Sequence, residues 1–228
     1  MKGEMQLEKL SLQKILLSLV GFIVLWTVVT DAWSYSNYFF YFSNGSYIYG
    51  YISRLIWVLP AILLIVKYND YLKYSKKELF SRPYFDKSLI IVLGISSVIV
   101  FITMFVNHRS FWFNDEVDFV LIIIKFIIVG CVEEIVFRGW GYNALANVAT
   151  EKKAILISTV LFILLHWPAY FIKLYRFGTF DIVTMLMQSF SALIWGIIFC
   201  MLLKKGKSIW NPIIIHAIYD TMSVLFVG

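Results

Sequence analysis

Residues 117–139 run VDFVLIIIKFIIVGCVEEIVFRG. The stretch Val117–Phe137 is long enough for a bilayer, which needs about 20 mostly apolar residues in a helix. It lacks the alternation of a barrel strand, so it is expected to be helical. Six further segments have the same character: Ile15–Val29, Tyr47–Val66, Leu89–Val106, Ala154–Ile172, Ile182–Leu203 and Ile209–Val227. Leu10 to Leu12 extend the first, which is short. It is read as a retained helix, because Thr30-Asp31-Ala32-Trp33 offers no small-x-small cleavage site. A further short helix from Trp140 to Ala149 either extends the fourth span or lies at the interface. The expected fold is an all-α, polytopic transmembrane helix bundle of about seven or eight spans. It forms a single integral membrane domain over residues 1–228.

Composition agrees. The 228 residues are 61% hydrophobic and 15% charged, against about 45–50% and 25% in soluble domains. That excludes a soluble globular domain, whose surface could not hide so much apolar area, and it excludes disorder. Aromatic residues make up 18% of the chain, which suits interfacial belts. The cluster Trp33, Tyr35, Tyr38, Phe39, Phe40, Tyr41 and Phe42 is read as one. Cys131 and Cys200 both lie in apolar runs and imply no disulfide framework. The net charge of +6 is read as basic loops beside a membrane rather than as a nucleic-acid footprint.

Lysines and arginines set the orientation. With the N-terminus inside, only Arg109, Lys173 and Arg176 fall outside, and Arg54 and Lys125 fall within spans. The rest collect on one side, so a cytoplasmic N-terminus is expected. Arg54 and Lys125 are read as snorkelling. The basic loop from Lys67 to Lys87 is read as solvated or facing lipid phosphates.

Ionisable groups inside a membrane are costly and are functional suspects by default. Glu133, Glu134, Asp220, His166 and His216 lie well inside apolar runs, in the fourth, fifth and seventh spans. Glu134 and Arg138 share a helix face at i,i+4, as do Phe162 and His166, and His216 and Asp220. Measured along their spans, Glu133 lies about 8 Å, His166 about 18 Å and His216 about 10 Å from the inner ends. They are expected to converge in the cytoplasmic half. A carboxylate beside an imidazole can deprotonate water. A second imidazole can hold an oxyanion, and an arginine can keep a partner glutamate ionised. The set describes acyl-bond hydrolysis. Two histidines, a carboxylate and a water could alternatively hold catalytic zinc.

Three motifs carry a family resemblance: Glu133-Glu134-Ile135-Val136-Phe137-Arg138-Gly139, then Phe162-Ile163-Leu164-Leu165-His166, then His216-Ala217-Ile218-Tyr219-Asp220. With Asn211-Pro212 ahead of the last, they resemble the CPBP intramembrane proteases (CAAX proteases and bacteriocin-processing enzymes, the ABI family). The resemblance covers roughly Ile122 to Val227. Residues 1–110 carry no motif, and 117–227 hold the motif-bearing catalytic helices. The resemblance implies intramembrane endopeptidase activity on a membrane-embedded or membrane-associated peptide. Bacteriocin maturation, self-immunity or peptide-signal processing in a bacterial plasma membrane would be its setting. It implies Glu133 as general base assisted by His166, with Glu134 and Arg138 orienting and balancing charge. His216 would stabilise the oxyanion with the residue at position 220. Eukaryotic prenyl-protein members resemble the pattern with Asn at that last position; here it is Asp220, which donates no hydrogen bond when ionised. Phe162 is a candidate substrate contact, though packing against His166 is its simpler role. No cofactor is favoured; zinc held by Glu133, His166 and His216 is the alternative. The same residues would also serve a catalytically silent membrane scaffold or regulatory protein, or a proton-coupled transporter.

Overall fold

In a computed structural model, the backbone is described for residues 10–39, 45–115 and 128–227, with side chains for all of these except 33–39 and 45–51. The expected aromatic belt at 33–42, Lys125 and the first half of the span Val117–Phe137 therefore lie outside the described residues. The described chain is an all-α bundle: α1 (Leu12–Phe39), α2 (Gly45–Lys67), a 3-10 turn (Asn69–Tyr71), α3 (Lys76–Leu79), α4 (Lys87–His108), α5 (128–148), α6 (Glu151–Phe177), α7 (Ile182–Gly206) and α8 (Trp210–Phe226). There is no strand among the described residues.

Four helical stretches are long and apolar enough to cross a membrane: Leu12–Ala32, Lys87–His108, Glu151–Phe177 and Ile182–Gly206. They correspond to the first, third, fifth and sixth expected spans. Helix α8 has 17 residues, and α2 and α5 border undescribed segments. Local chemistry sets the ends. Asp86 caps α4, its carboxylate accepting from Leu89 N. Lys205 and Ser88 hydrogen-bond that carboxyl and pull its pKa down to about 2, so the cap stays charged at physiological pH. Asp181 caps α7 in the same way, through Thr184 N. Gly178 ends α6 with φ +67°, a conformation glycine adopts without strain.

Helix α5 differs from the expectation in a way that matters. It does not end near Phe137 but continues as a π-helix over Ile135–Tyr142 and closes with Asn143–Val148. The short helix expected at Trp140–Ala149 is thus the tail of the fourth span. Buried π-turns are rare and gather at functional sites. The wide turn is hydrogen-bonded to its neighbours: Trp140 Nε1 donates to Ser18 Oγ at 2.8 Å, and Ser158 Oγ donates to the Phe137 carbonyl at 2.9 Å. At Gly141 any Cβ would sit 3.0 Å from Leu19, so glycine lets α1 close on α5.

The core centres on Trp57, Phe137, Trp140 and Tyr142, all essentially inaccessible. Trp57 Nε1 donates to the Phe22 carbonyl. A smaller cluster, Leu89, Trp195, Phe199, Leu202 and Ile215, joins α4, α7 and α8.

The Lys67–Lys87 segment, expected to be solvated or to face lipid phosphates, is also anchored to the bundle. Its backbone is tied to the ends of the bundle by two asparagines, each pairing with both the N–H and the C=O of one loop residue. Asn143 does so with Tyr74 at 2.7 and 2.9 Å, and Asn211 with Tyr84 at 2.9 and 2.8 Å. Ser208 Oγ donates to the Ser81 carbonyl. Tyr68, Leu72, Tyr74 and Leu79 are buried beneath it, while Lys76, Lys77 and Arg82 stay exposed. A charge count reads the lysines but not the backbone-binding asparagines. Arg54, expected to snorkel, lies over the Trp26 ring at 5.4 Å.

Candidate active site

The π-turn of α5 begins directly after Glu134 and carries Arg138. Both side chains are completely buried, with Arg138 Nη1 donating to Glu134 Oε1 at 3.0 Å. The pair expected from α-helical spacing therefore forms, although the backbone between them is π-helical. Arg138 is compensated on its faces as well. Its guanidinium carbon stands 4.1 Å from the Phe162 ring centroid and 5.1 Å from that of Phe199, a cation–π sandwich that gains strength away from water. Among the described residues, Arg138 Nε and Nη2 and Glu134 Oε2 have no hydrogen-bond partner.

Helix α8 brings the third motif to the same carboxylate. His216 Nδ1 donates to Glu134 Oε1 at 2.9 Å, across 82 residues of sequence. This fixes the ring, and Nε2 then stands 3.5 Å from Asp220 Oδ2 and 3.9 Å from Glu133 Oε2. Three carboxylates thus surround one imidazole. Phe199 stacks on His216 with centroids 4.9 Å apart and planes 22° apart.

Helix α6 supplies His166. Its Nδ1 is 2.8 Å from the Phe162 carbonyl, which can only accept, so Nδ1 carries a proton. In the neutral ring Nε2 is then the basic nitrogen. Phe162 meets both imidazoles edge-on, His166 at 5.0 Å and His216 at 6.2 Å. It is buried, and it lines the cavity as the partner of His166 and Arg138.

His166, His216, Asp220 and Phe162 share one cavity of about 210 Å³, with Gln188, Ser191, Trp195, Phe199 and Tyr219 among the other walls. Glu133, whose side chain keeps 13% of its surface, is beside it. Glu134 and Arg138 are sealed behind it. All six expected residues are thereby gathered, but deeper along α5 than expected. Glu133 precedes Val148 by about as many residues as His166 follows Glu151. At 1.5 Å per residue each is about 22 Å from the α5–α6 turn. The shallower expectation for Glu133 takes a helix that ends just past its motif. Equal distances from one turn are what bring the two residues level.

Among the described residues no group of three His, Cys, Asp or Glu side chains is arranged to hold one metal ion. The zinc set Glu133, His166 and His216 is not drawn together in that way. Phe199 and Gln188 carry no motif and were not read from the sequence. Gln188 is distinguished only as a lone amide in an apolar helix.

The comparison with known families falls on this region. Residues 115–222 match the family model of type II CAAX prenyl endopeptidases, Rce1-like. It is the family the three motifs resemble. The Rce1-like region contains every residue of the cavity's motif set, from Glu133 to Asp220. With the apolar helices it supports a CAAX-type intramembrane protease and a membrane protein. No curated protein and no solved structure matches the chain.

Proposed function

We propose that this chain hydrolyses a peptide bond of a membrane-associated peptide or protein by a glutamate-activated water, without a metal. The observation that carries the reading is the His216–Glu134 hydrogen bond. It joins the first and third motifs at a buried ion pair and aims the ring's other nitrogen at the cavity edge. In this reading Glu133 takes a proton from water in the cavity, with His166 Nε2 as second acceptor. The water oxygen attacks the scissile carbonyl. The charge that develops on the carbonyl oxygen is held by the His216 Nε2 proton. Glu133 then returns its proton to the leaving amine as the C–N bond breaks. Glu134, itself held by Arg138, keeps His216 oriented. Asp220, one helical turn beyond His216, orients its ring rather than donating to the oxyanion.

The setting proposed is a bacterial plasma membrane with the N-terminus cytoplasmic. The task proposed is bacteriocin maturation, self-immunity or peptide-signal processing. The test is cleavage of a peptide library by purified protein in nanodiscs, comparing wild type with Glu133→Gln, each with and without a chelator. Cleavage lost in the variant and kept with chelator is expected. Cleavage lost with chelator would instead require a metal. A folded wild type that cuts nothing while its Glu133→Gln variant keeps the cellular phenotype would favour a scaffold.

A further inference from the structure

A second cavity, of about 370 Å³, is lined by Ala169, Tyr170, Lys173, Asp181, Thr184 and Gln188 among others. Gln188 lines both this cavity and the catalytic one. The two are continuous in sequence pattern as well. On α6, His166, Tyr170 and Lys173 follow at steps of four and three, which keeps them on one face. On α7, Thr184, Gln188 and Ser191 follow at steps of four and three, again one face, and the cap residue Asp181 is tied to it through Thr184. The helices run antiparallel, with Trp167 bonded to Ser189 and Tyr170 to Gln188, and Lys173, Asp181 and Thr184 share the outer cavity. The result is a polar groove between two otherwise apolar helices, leading from the catalytic histidine to the α6–α7 turn.

Its groups suit a peptide backbone. Tyr170 Oη donates to Gln188 Oε1 at 2.6 Å, which fixes the amide, and the Gln188 NH₂ has no acceptor among the described residues. Thr184 Oγ1 donates to Asp181 Oδ2 at 2.6 Å, which leaves its lone pairs for an incoming N–H. Lys173 adds donors at the far end. The groove is about 10 Å long, seven residues at helical rise. An extended chain advances about 3.3 Å per residue, so the groove holds about three residues.

We infer that this α6–α7 groove is the subsite for the substrate segment on one side of the scissile bond. It would take about three extended residues by their backbone, with Gln188 as the positioning residue at the boundary between the cavities. The inference rests on the hydrolase reading above. The test uses full-length protein in nanodiscs and a cleavable peptide extended by one to five residues on either side of the cut. For wild type, kcat/KM rises over the first three residues on one side and then levels. Gln188→Leu and Ala169→Trp, the second filling the outer cavity, flatten that rise. The longest peptides lose about tenfold through KM and the shortest lose least. Variant profiles that match wild type, or that fall equally for every peptide as blocked water access would give, overturn the subsite while leaving the hydrolase reading intact. Absence of cleavage by folded wild type overturns the hydrolase reading and the groove with it.

Discussion

At the scale of single residues, the site is a charge balance held by few contacts. Glu134 is reached by Arg138 and by His216, and it is the carboxylate that Arg138 pairs with. Replacing Arg138 with Ala would leave a buried carboxylate facing only an imidazole. Losing one partner of a buried pair costs about 3–5 kcal/mol. Thermal unfolding in detergent should show that loss, and an Arg138→Ala protein as stable as wild type would mean that the pair is already solvated. Asp220 is a sharper case. An amide there keeps the size and adds a donor toward the oxyanion, so Asp220→Asn should keep turnover within about tenfold of wild type. Asp220→Ala should lose more than Asp220→Asn. Equal loss in both would assign Asp220 an indispensable negative charge.

At the scale of elements, close packing is set by positions where only hydrogen fits. A Cβ at Gly196 of α7 would stand 2.8 Å from Thr159 Cγ2 of α6. Gly196→Ala should therefore destabilise by about 1–3 kcal/mol, the usual cost of overpacking. Thr159→Ala in the same chain should recover part of it, as coupled neighbours do. Chemical denaturation of the two single variants and the double variant measures this. The loop straps make a separate prediction. Asn143→Ala removes both hydrogen bonds to Tyr74, each worth about 1 kcal/mol. Limited proteolysis between Lys67 and Lys87 should then speed up several-fold. An unchanged rate would mean that the buried tyrosines alone hold the segment.

These elements also mark what a single chain discloses. Apolar runs disclose an all-α bundle, and the isolated charges inside them single out Glu133, Glu134, His166, His216 and Asp220, because burying a charge in lipid is too costly to be incidental; Arg138 is added by its spacing to Glu134. The π-turn was hidden: Glu134 and Arg138 meet in either helix form, so the spacing is silent about it. The length of α5 was hidden for a related reason. Tyr142, Asn143 and Ala144 do not look like span residues, yet they are buried by packing against α1, α2 and the loop. Gln188 and Phe199 act through tertiary neighbours on α6 and α8, and no local pattern records those.

At the scale of the molecule, the proposed topology turns the lysine-rich end of the bundle toward the cytoplasm. The lysine-rich segments around Lys77, Lys152 and Lys205 lie on the side of the α5–α6 turn, opposite Thr179 in the α6–α7 turn. A cysteine at Lys77, labelled with a membrane-impermeant thiol reagent, should react only from the cytoplasmic side. One at Thr179 should react only from the other. Both positions are exposed, and the reverse pattern would invert the whole topology. The central claim, however, is chemical, and it is tested most directly by the initial rate of cleavage of one peptide by wild type and by Glu133→Gln in identical nanodiscs, with matched unfolding curves. A general base contributes about 10²–10⁴-fold, so the variant should be slower by at least about a hundredfold. A Glu133→Gln protein that cleaves within threefold of wild type would contradict the account.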